Sequence, residues 1–299
     1  MRATHIHLRA AATRRPSLLW RTAPLLLAVA LTATGCASGI PGADATRDPL
    51  PNPPAALELP PVQATPDYQL GEAYEPVAGV GVVARDRTAQ PASGIYSICY
   101  INGFQTQPGE LDRWPDETLL RDEAGNLRFD PDWPDEVLLD TSTARARDQI
   151  HAIVADWINE CARDGFAAVE FDNLDSYTRS DGALTFDDNL ALAEELVRSA
   201  HLAGLAAGQK NAAEDAAALR ETAGFDFAVT EECSVFHECG SYAAVYGEHV
   251  IDIEYVDALP VPFAEMCAAD DAPASMVLRD RDLSAPGSPS YAFETCAAR

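Results

Sequence analysis

The chain has 299 residues, 47% of them hydrophobic, enough for one large core and too apolar for a disordered protein. Its 47 acids and 21 bases give a formal net charge of −26. A surface this acidic repels phosphate, which excludes nucleic acid as a partner and favours neutral or cationic ones.

Residues 1–35 read as an export signal. Arg2, Arg9, Arg14, Arg15 and Arg21 precede or flank an apolar run at 25–31, and the segment has no acid. That run is shorter than the ~20 apolar residues of a membrane-spanning helix. Ala33-Thr34-Gly35-Cys36 resembles a bacterial lipobox, which makes Cys36 the expected lipidation site and first mature residue. Thr13-Arg14-Arg15 also permits twin-arginine export, although Pro16 weakens that reading. Without the leader, 16 bases face 47 acids, a net charge of −31. The expected location is the bacterial cell surface or the medium, with membrane contact through the lipid anchor only.

Residues 36–66 are rich in Pro and Ala, including Pro49, Pro51, Pro53, Pro54, Pro60 and Pro61, and read as a tether. A single domain is expected over 67–299, since no repeat or second linker interrupts it. Short apolar runs follow at 80–83, 95–101, 137–139, 167–171, 205–208, 227–229, 250–253 and 276–278. Between them, Ile150, Ile153, Val154, Trp157, Ile158 and Cys161 share a helical face that Gly165 terminates. Thr185 and Asp188 have capping-box spacing ahead of the stripe Phe186, Leu190, Ala193, Val197 and Ala200, closed by Gly204. Eight strands alternating with helices predict an α/β fold, a (β/α)8 TIM barrel, with a doubly wound sheet as the alternative.

Setting Cys36 aside leaves Cys99, Cys161, Cys233, Cys239, Cys267 and Cys296. An even number in an exported chain predicts three disulfides, with Cys233–Cys239 as a local loop. Zinc is the weaker reading because there is no C-x-x-C and the histidines lack ligand spacing. No metal and no organic cofactor is expected. Gly79-x-Gly81-x-x-Ala84 has no room for the helix of a dinucleotide fingerprint, the acids at 172–181 lack calcium-loop spacing, and there is no G-x-S-x-G.

Barrel active sites lie at the carboxyl ends of the strands. Polar residues gather after each run: Asn102 and Gln105; Asp140; Glu170, Asp172, Asn173, Asp175 and Tyr177; Gln209, Lys210 and Asn211; Thr230, Glu231 and Glu232; Glu254 and Tyr255; Arg279 and Asp280. Paired carboxylates cleave glycosidic bonds, one protonating the leaving oxygen while the other attacks or stabilises the anomeric carbon. Alternation puts Glu170 and Asp172 on one strand face, with Asp172 nearer the mouth. Glu170 either orients its neighbours or is a buried acid paired with a base such as Lys210. Trp114 and Trp133 either stack on sugars or pack within the insert that follows the second run.

The stretches Ile98-Cys99-Tyr100-Ile101, Gly165 to Asn173, Gly208-Gln209-Lys210-Asn211, Phe225 to Cys239 and Ile253-Glu254-Tyr255 together resemble the endo-α-1,4-polygalactosaminidase family, glycoside hydrolase family 114. The resemblance implies a barrel glycosidase acting on α-1,4-linked galactosamine polymers, with Asp172 and Glu231 as the catalytic pair. By analogy with retaining α-galactosidase barrels, Asp172 is the nucleophile and Glu231 the acid/base. Tyr100, Asp140, Glu170, Asn173, Lys210, Asn211, Glu254 and Tyr255 are expected to bind substrate. The family's polymer is cationic where deacetylated, which suits the acidic chain. Departures lie at 102–107, at Glu232 and at 80–86, all around the substrate mouth. The alternatives are a carbohydrate-binding lipoprotein on the same scaffold and a hydrolase of another glycan.

Overall fold

The computed structural model of the chain describes residues 57–296. The leader, Cys36 and positions 37–56 of the tether lie outside the described residues. Among the described residues, no helix is long and apolar enough to cross a membrane.

Eight parallel strands run in sequence order around a barrel: β1 (Thr65–Gln69), β2 (Val80–Asp86), β3 (Tyr96–Asn102), β4 (Ala168–Asp172), β5 (Ala206–Lys210), β6 (Phe227–Glu231), β7 (Val250–Tyr255) and β8 (Ser275–Arg279). A short β9 (Phe293–Thr295) pairs antiparallel with β8. Seven of the eight predicted runs fall on β2 to β8. The run at 137–139 does not. Its residues form isolated bridges with Gln105, Leu119 and Phe129 inside the insert between β3 and the first helix. The remaining strand is β1, whose Pro, Asp and Gln hid it. Ahead of Asp67, Leu59 and Ala64 already pack against the barrel's inner cluster.

Residues alternate between two apolar layers, as strands buried on both faces require. Val82, Ile98, Ala168, Ala206, Phe227, Val229, Ile253 and Val277 fill the barrel. Cys99, Ile101, Val169, Phe171, Ala207 and Ala228 pack outward. There they meet α1 (Ala144–Asp164) and α2 (Phe186–Leu202), each built on its predicted apolar stripe. Gly165 closes α1 with φ 98°, and the Thr185–Asp188 capping box opens α2. Leu192 and Leu196 are the deeper residues of α2, while Phe186 and Leu190 are half-buried. Four shorter helices follow: α3 (Ala216–Ala218), α4 (Cys233–Phe236), α5 (Cys239–Tyr246) and α6 (Phe263–Cys267). No helix separates β1 from β2 or β2 from β3.

Three disulfides form, as predicted: Cys99–Cys161 joins β3 to α1, Cys233–Cys239 joins α4 to α5, and Cys267–Cys296 ties α6 to the C-terminal segment.

One level of the barrel depends on a missing side chain. Tyr100, Glu170, Gly208 and Phe227 are successive ladder partners across β3 to β6. A Cβ on Gly208 would stand 2.6 Å from the Phe227 ring. Gly208 thus leaves room for the aromatic plug beneath the polar mouth. Gly208→Ala is expected to lower stability by roughly 1–3 kcal/mol through overpacking. Adding Phe227→Leu should recover part of the loss, a coupling measured by denaturant unfolding of the single and double variants.

Candidate active site

The polar mouth is built by three strands that end alike. Asp172, Lys210 and Glu231 are the last residues of β4, β5 and β6. Each is followed by a left-handed residue: Asn173 (φ 63°), Asn211 (φ 49°) and Glu232 (φ 59°). Asn enters this region readily, whereas Glu there is strained by on the order of 1–3 kcal/mol. Arg281 supports Glu232 with two hydrogen bonds of 3.0 Å each. Breaking the strand at these points leaves the preceding inward side chain at the barrel mouth.

Lys210 is the hub. Its Nζ lies 3.2 Å from Asp172 Oδ2 and 2.9 Å from Glu231 Oε2. The rings of Tyr68 and Tyr100 lie 5.6 and 5.8 Å from the same nitrogen. Burial alone would favour a neutral amine, but the charges of Asp172, Glu231 and Glu170 outweigh it and raise the pKa. The ammonium therefore stays charged with only 3% of its side chain exposed.

Each carboxylate has its own donors. Asp172 accepts from the Tyr100 hydroxyl (2.8 Å) and the Asn173 amide N–H (2.7 Å). Glu231 accepts from Asn211 Nδ2 (3.1 Å) and from the Tyr255 hydroxyl. The Glu231 N–H in turn donates to Asn211 Oδ1 at 2.8 Å. Burial pushes Glu231 toward protonation, yet Lys210, Tyr255 and Asn211 prevail and its pKa is lowered. Glu170 lies beneath the pair, fully buried, with Oε1 accepting from Tyr68 at 2.6 Å and Oε2 without a hydrogen-bond partner among the described residues. Burial pushes its pKa up to about 7 against the opposing effects of Lys210 and Tyr68. The sequence leaves Glu170 open between orienting its neighbours and pairing with a base. Its direct partner is the Tyr68 hydroxyl rather than a base, and Lys210 acts on it through its charge.

Asp172, Glu231, Tyr100, Asn173, Lys210, Asn211 and Tyr255 all line one cleft of about 840 Å³. Three expected residues do not, and the first is Glu170, buried beneath the pair. Asp140, at the end of the displaced 137–139 run, caps the turn into α1 by accepting from the Ser142 N–H and hydroxyl. Glu254 points away from the barrel axis. It is fully buried and accepts from the Ser234 N–H at 2.9 Å, beside Asp252. Burial raises the pKa of both acids. Cys233, Cys239 and Asp252 come together here, but the two sulfurs are bonded to each other and offer no metal ligand.

The cleft also draws on residues that sequence reasoning missed. Tyr68 comes from the unread strand β1. Arg179 joins Asp130 (2.6 Å), Asp175 (2.9 Å) and Asn173 Oδ1 (2.9 Å), tying the insert to the residue beside Asp172. Arg281 lies 4.2 Å from the Tyr255 ring and pairs with Asp257 as well as Glu232. The only signal for these three was position near a strand end. Trp114 packs edge-on against Trp157 inside the insert, whereas Trp133 is 60% exposed and lines the cleft. Nine carboxylates and three cations line it in all, so its field is strongly negative.

Glu170 makes this centre sensitive to pH in a defined direction. Its folded pKa is raised, so its contribution to stability is intact below the unfolded carboxylate value and is lost as pH rises through about 7. Melting temperature should therefore fall between about pH 5 and 8, and Glu170→Gln should flatten that fall. A wild-type-like slope in the variant would assign the effect elsewhere.

Known glycoside hydrolases share this architecture. The crystal structure of Aspergillus fumigatus Ega3 in complex with galactosamine is similar with a TM-score of 0.64 and 23% identity, covering 81% of this chain and 98% of that one. The glycoside hydrolase domain of PelA from Pseudomonas aeruginosa is similar with a TM-score of 0.53 and 14% identity, covering 75% and 97%. At these identities the likeness establishes the barrel fold. No protein of curated function matches the sequence. The model of glycoside-hydrolase family GH114 matches residues 46–299, and that span, most of the chain and all of its barrel, makes the protein a member of this family and a glycosidase.

Proposed function

We propose that this glycosidase cleaves α-1,4-linked galactosamine polymers within the chain and with retention, using Asp172 as nucleophile and Glu231 as acid/base. One observation carries the mechanism. A single ammonium contacts both carboxylates at 3.2 and 2.9 Å, and a pair gathered on one cation supports the short carboxyl spacing of a retaining enzyme over the wider spacing of an inverting one. The substrate class is supported by the negative cleft, which attracts an amino sugar, and by the galactosamine complex of the structurally similar Ega3. Endo action is supported by a cleft whose wall includes, besides the carboxylates, Trp133 of the insert and Arg281 after β8.

In the first step a carboxylate oxygen of Asp172 bonds to the anomeric carbon as the glycosidic C–O bond breaks. Glu231 gives its proton to the leaving oxygen. In the second step Glu231 takes a proton from water, whose oxygen displaces Asp172 from the anomeric carbon. Ester formation removes the charge of Asp172, and the Lys210 field then falls on Glu231, favouring the ionised base that the second step needs. The first step needs Glu231 protonated, and its lowered pKa implies activity that declines as pH rises above the acidic range.

The three disulfides support export, because such bonds persist in oxidising compartments. We place the enzyme at the bacterial surface through a lipid on Cys36. Mass analysis of the N-terminal peptide of membrane-extracted protein tests this directly.

The two carboxylates should separate by leaving group. Glu231→Gln is expected to lose roughly 10²–10⁴-fold on the polymer and much less on an aryl glycoside whose phenol leaves unaided. Asp172→Asn should lose both activities while keeping the wild-type circular dichroism spectrum. Equal losses in both variants on both substrates would reject the assigned roles.

A further inference from the structure

We infer that Glu136, on the insert between β3 and α1, selects a protonated amino group on the sugar bound beside the reacting one. The inference rests on the amino-sugar reading above and adds the residue that enforces it.

Glu136 closes a tight turn, its N–H donating to the Trp133 carbonyl at 2.9 Å. Asp130 holds the start of that turn, accepting from the Asp132 and Trp133 N–H groups through Oδ1 and from Arg179 through Oδ2. The turn is thereby fixed to the Arg179–Asn173 contact next to Asp172. The side chain is equally constrained. Both Asn102 Nδ2 and Gln105 Nε2 donate to Glu136 Oε2 at 3.0 Å. Asn102 is the ladder partner of Asp172, which puts the carboxyl group on the wall adjoining the nucleophile.

The two oxygens of Glu136 are thus unequal. Oε2 is committed to two amides. Among the described residues none donates a hydrogen bond to Oε1, which is not buried, and Glu136 lines the cleft. Burial raises the carboxyl pKa, with the charges of Asp172 and Asp130 adding to it and the two amide bonds opposing. An anion held up in this way gains from an arriving cation, because the partner offsets both the desolvation and the repulsion. An ammonium group supplies that partner, while an N-acetyl group offers a neutral amide and extra bulk. Trp133, three residues earlier on the same turn, presents an exposed ring to the cleft and gives the apolar face of the sugar a surface to pack on.

The test uses the full chain carrying Asp172→Asn, so that ligand binds without being cleaved. Calorimetric titration compares fully deacetylated and fully N-acetylated α-1,4-galactosamine oligosaccharides, with Glu136 intact, as Glu136→Gln and as Glu136→Asp. Gln keeps the acceptor for Asn102 and Gln105 and removes the charge. The expected result is a loss of about 10–100-fold for the deacetylated ligand in Glu136→Gln and less than about twofold for the acetylated one. Glu136→Asp should restore part of the loss, and added salt should shrink the difference. Equal losses for both ligands would make Glu136 a structural part of the wall and overturn the inference, as would no change in either. Hydrolysis by the chain with Asp172 intact tests the underlying reading separately. Charge-selective binding without cleavage would sink the proposed reaction and leave Glu136 as the selector. Cleavage with equal losses would do the reverse.

Discussion

The barrel depends on a buried guanidinium. β8 pairs with β7 and β9, so among the described residues no ladder joins β8 to β1, and the ring of strands is open at that seam. Arg279 closes it. Its Nη1 donates to Asp67 Oδ1 at 2.9 Å and to the Tyr68 carbonyl, its Nε to Ala292 O at 2.9 Å, and its Nη2 to Ser284 O at 2.9 Å. Both side chains of the ion pair are fully buried. Breaking one partner of such a pair costs about 3–5 kcal/mol, because the other charge is then left uncompensated. Arg is suited to the place because its planar fork reaches a carboxylate and three carbonyls at once, which an ammonium cannot do. The consequence reaches the mouth. The seam holds β1, β1 holds Tyr68, and Tyr68 donates to the Glu170 carboxyl under Lys210.

A second buried cation follows the same logic one layer away. Three acids, Glu170, Asp172 and Glu231, share the field of Lys210. Without it they would repel one another. With it, Asp172 and Glu231 sit close together and the Glu231 pKa is lowered, while Glu170, deeper and less well paired, carries a raised one. The differences among the three come from their surroundings. Asp172 and Glu231 end their strands and receive several donors each. Glu170, two residues below Asp172, has one donor and no access to water.

How much of this was legible in the sequence depends on how strongly burial constrains each residue. β4, β5 and β6 read clearly because apolar runs end in polar residues where the barrel meets solvent. β1 did not, because its polar residues are buried by the seam: Asp67 and Gln69 bond Arg279 and Arg85. The run at 137–139 is apolar for a different reason, packing inside an insert rather than in the barrel, and Asp140 is displaced with it. Glu254 was lost to the symmetry of a strand buried on both faces. Along Asp252-Ile253-Glu254-Tyr255 the alternation is real, but apolar neighbours on both layers conceal which acid faces the axis. The Glu231–Tyr255 bond settles the parity and sends Asp252 and Glu254 outward. The Asp172–Glu231 pair came from the resemblance to the polygalactosaminidases, since periodicity alone does not single it out.

The division between strands and insert also bears on the proposed specificity. Strand-end residues are fixed by ladders and by left-handed turns, so Asp172 and Glu231 have little freedom to adapt. The insert at 103–143 is joined to the barrel differently, through the outer apolar layer it shares with α1, α2 and the strands and through the side chains Asn102, Gln105 and Arg179. Changes within it can alter the cleft wall without moving Asp172 or Glu231, provided Arg179 keeps its contact with Asn173. Through that hydrogen bond the Arg179 side chain reaches the strand exit at Asp172. It lets one arginine hold the insert wall and the strand carrying Asp172 in a common frame, with the proposed chemistry on one side of the joint and the proposed choice of sugar on the other.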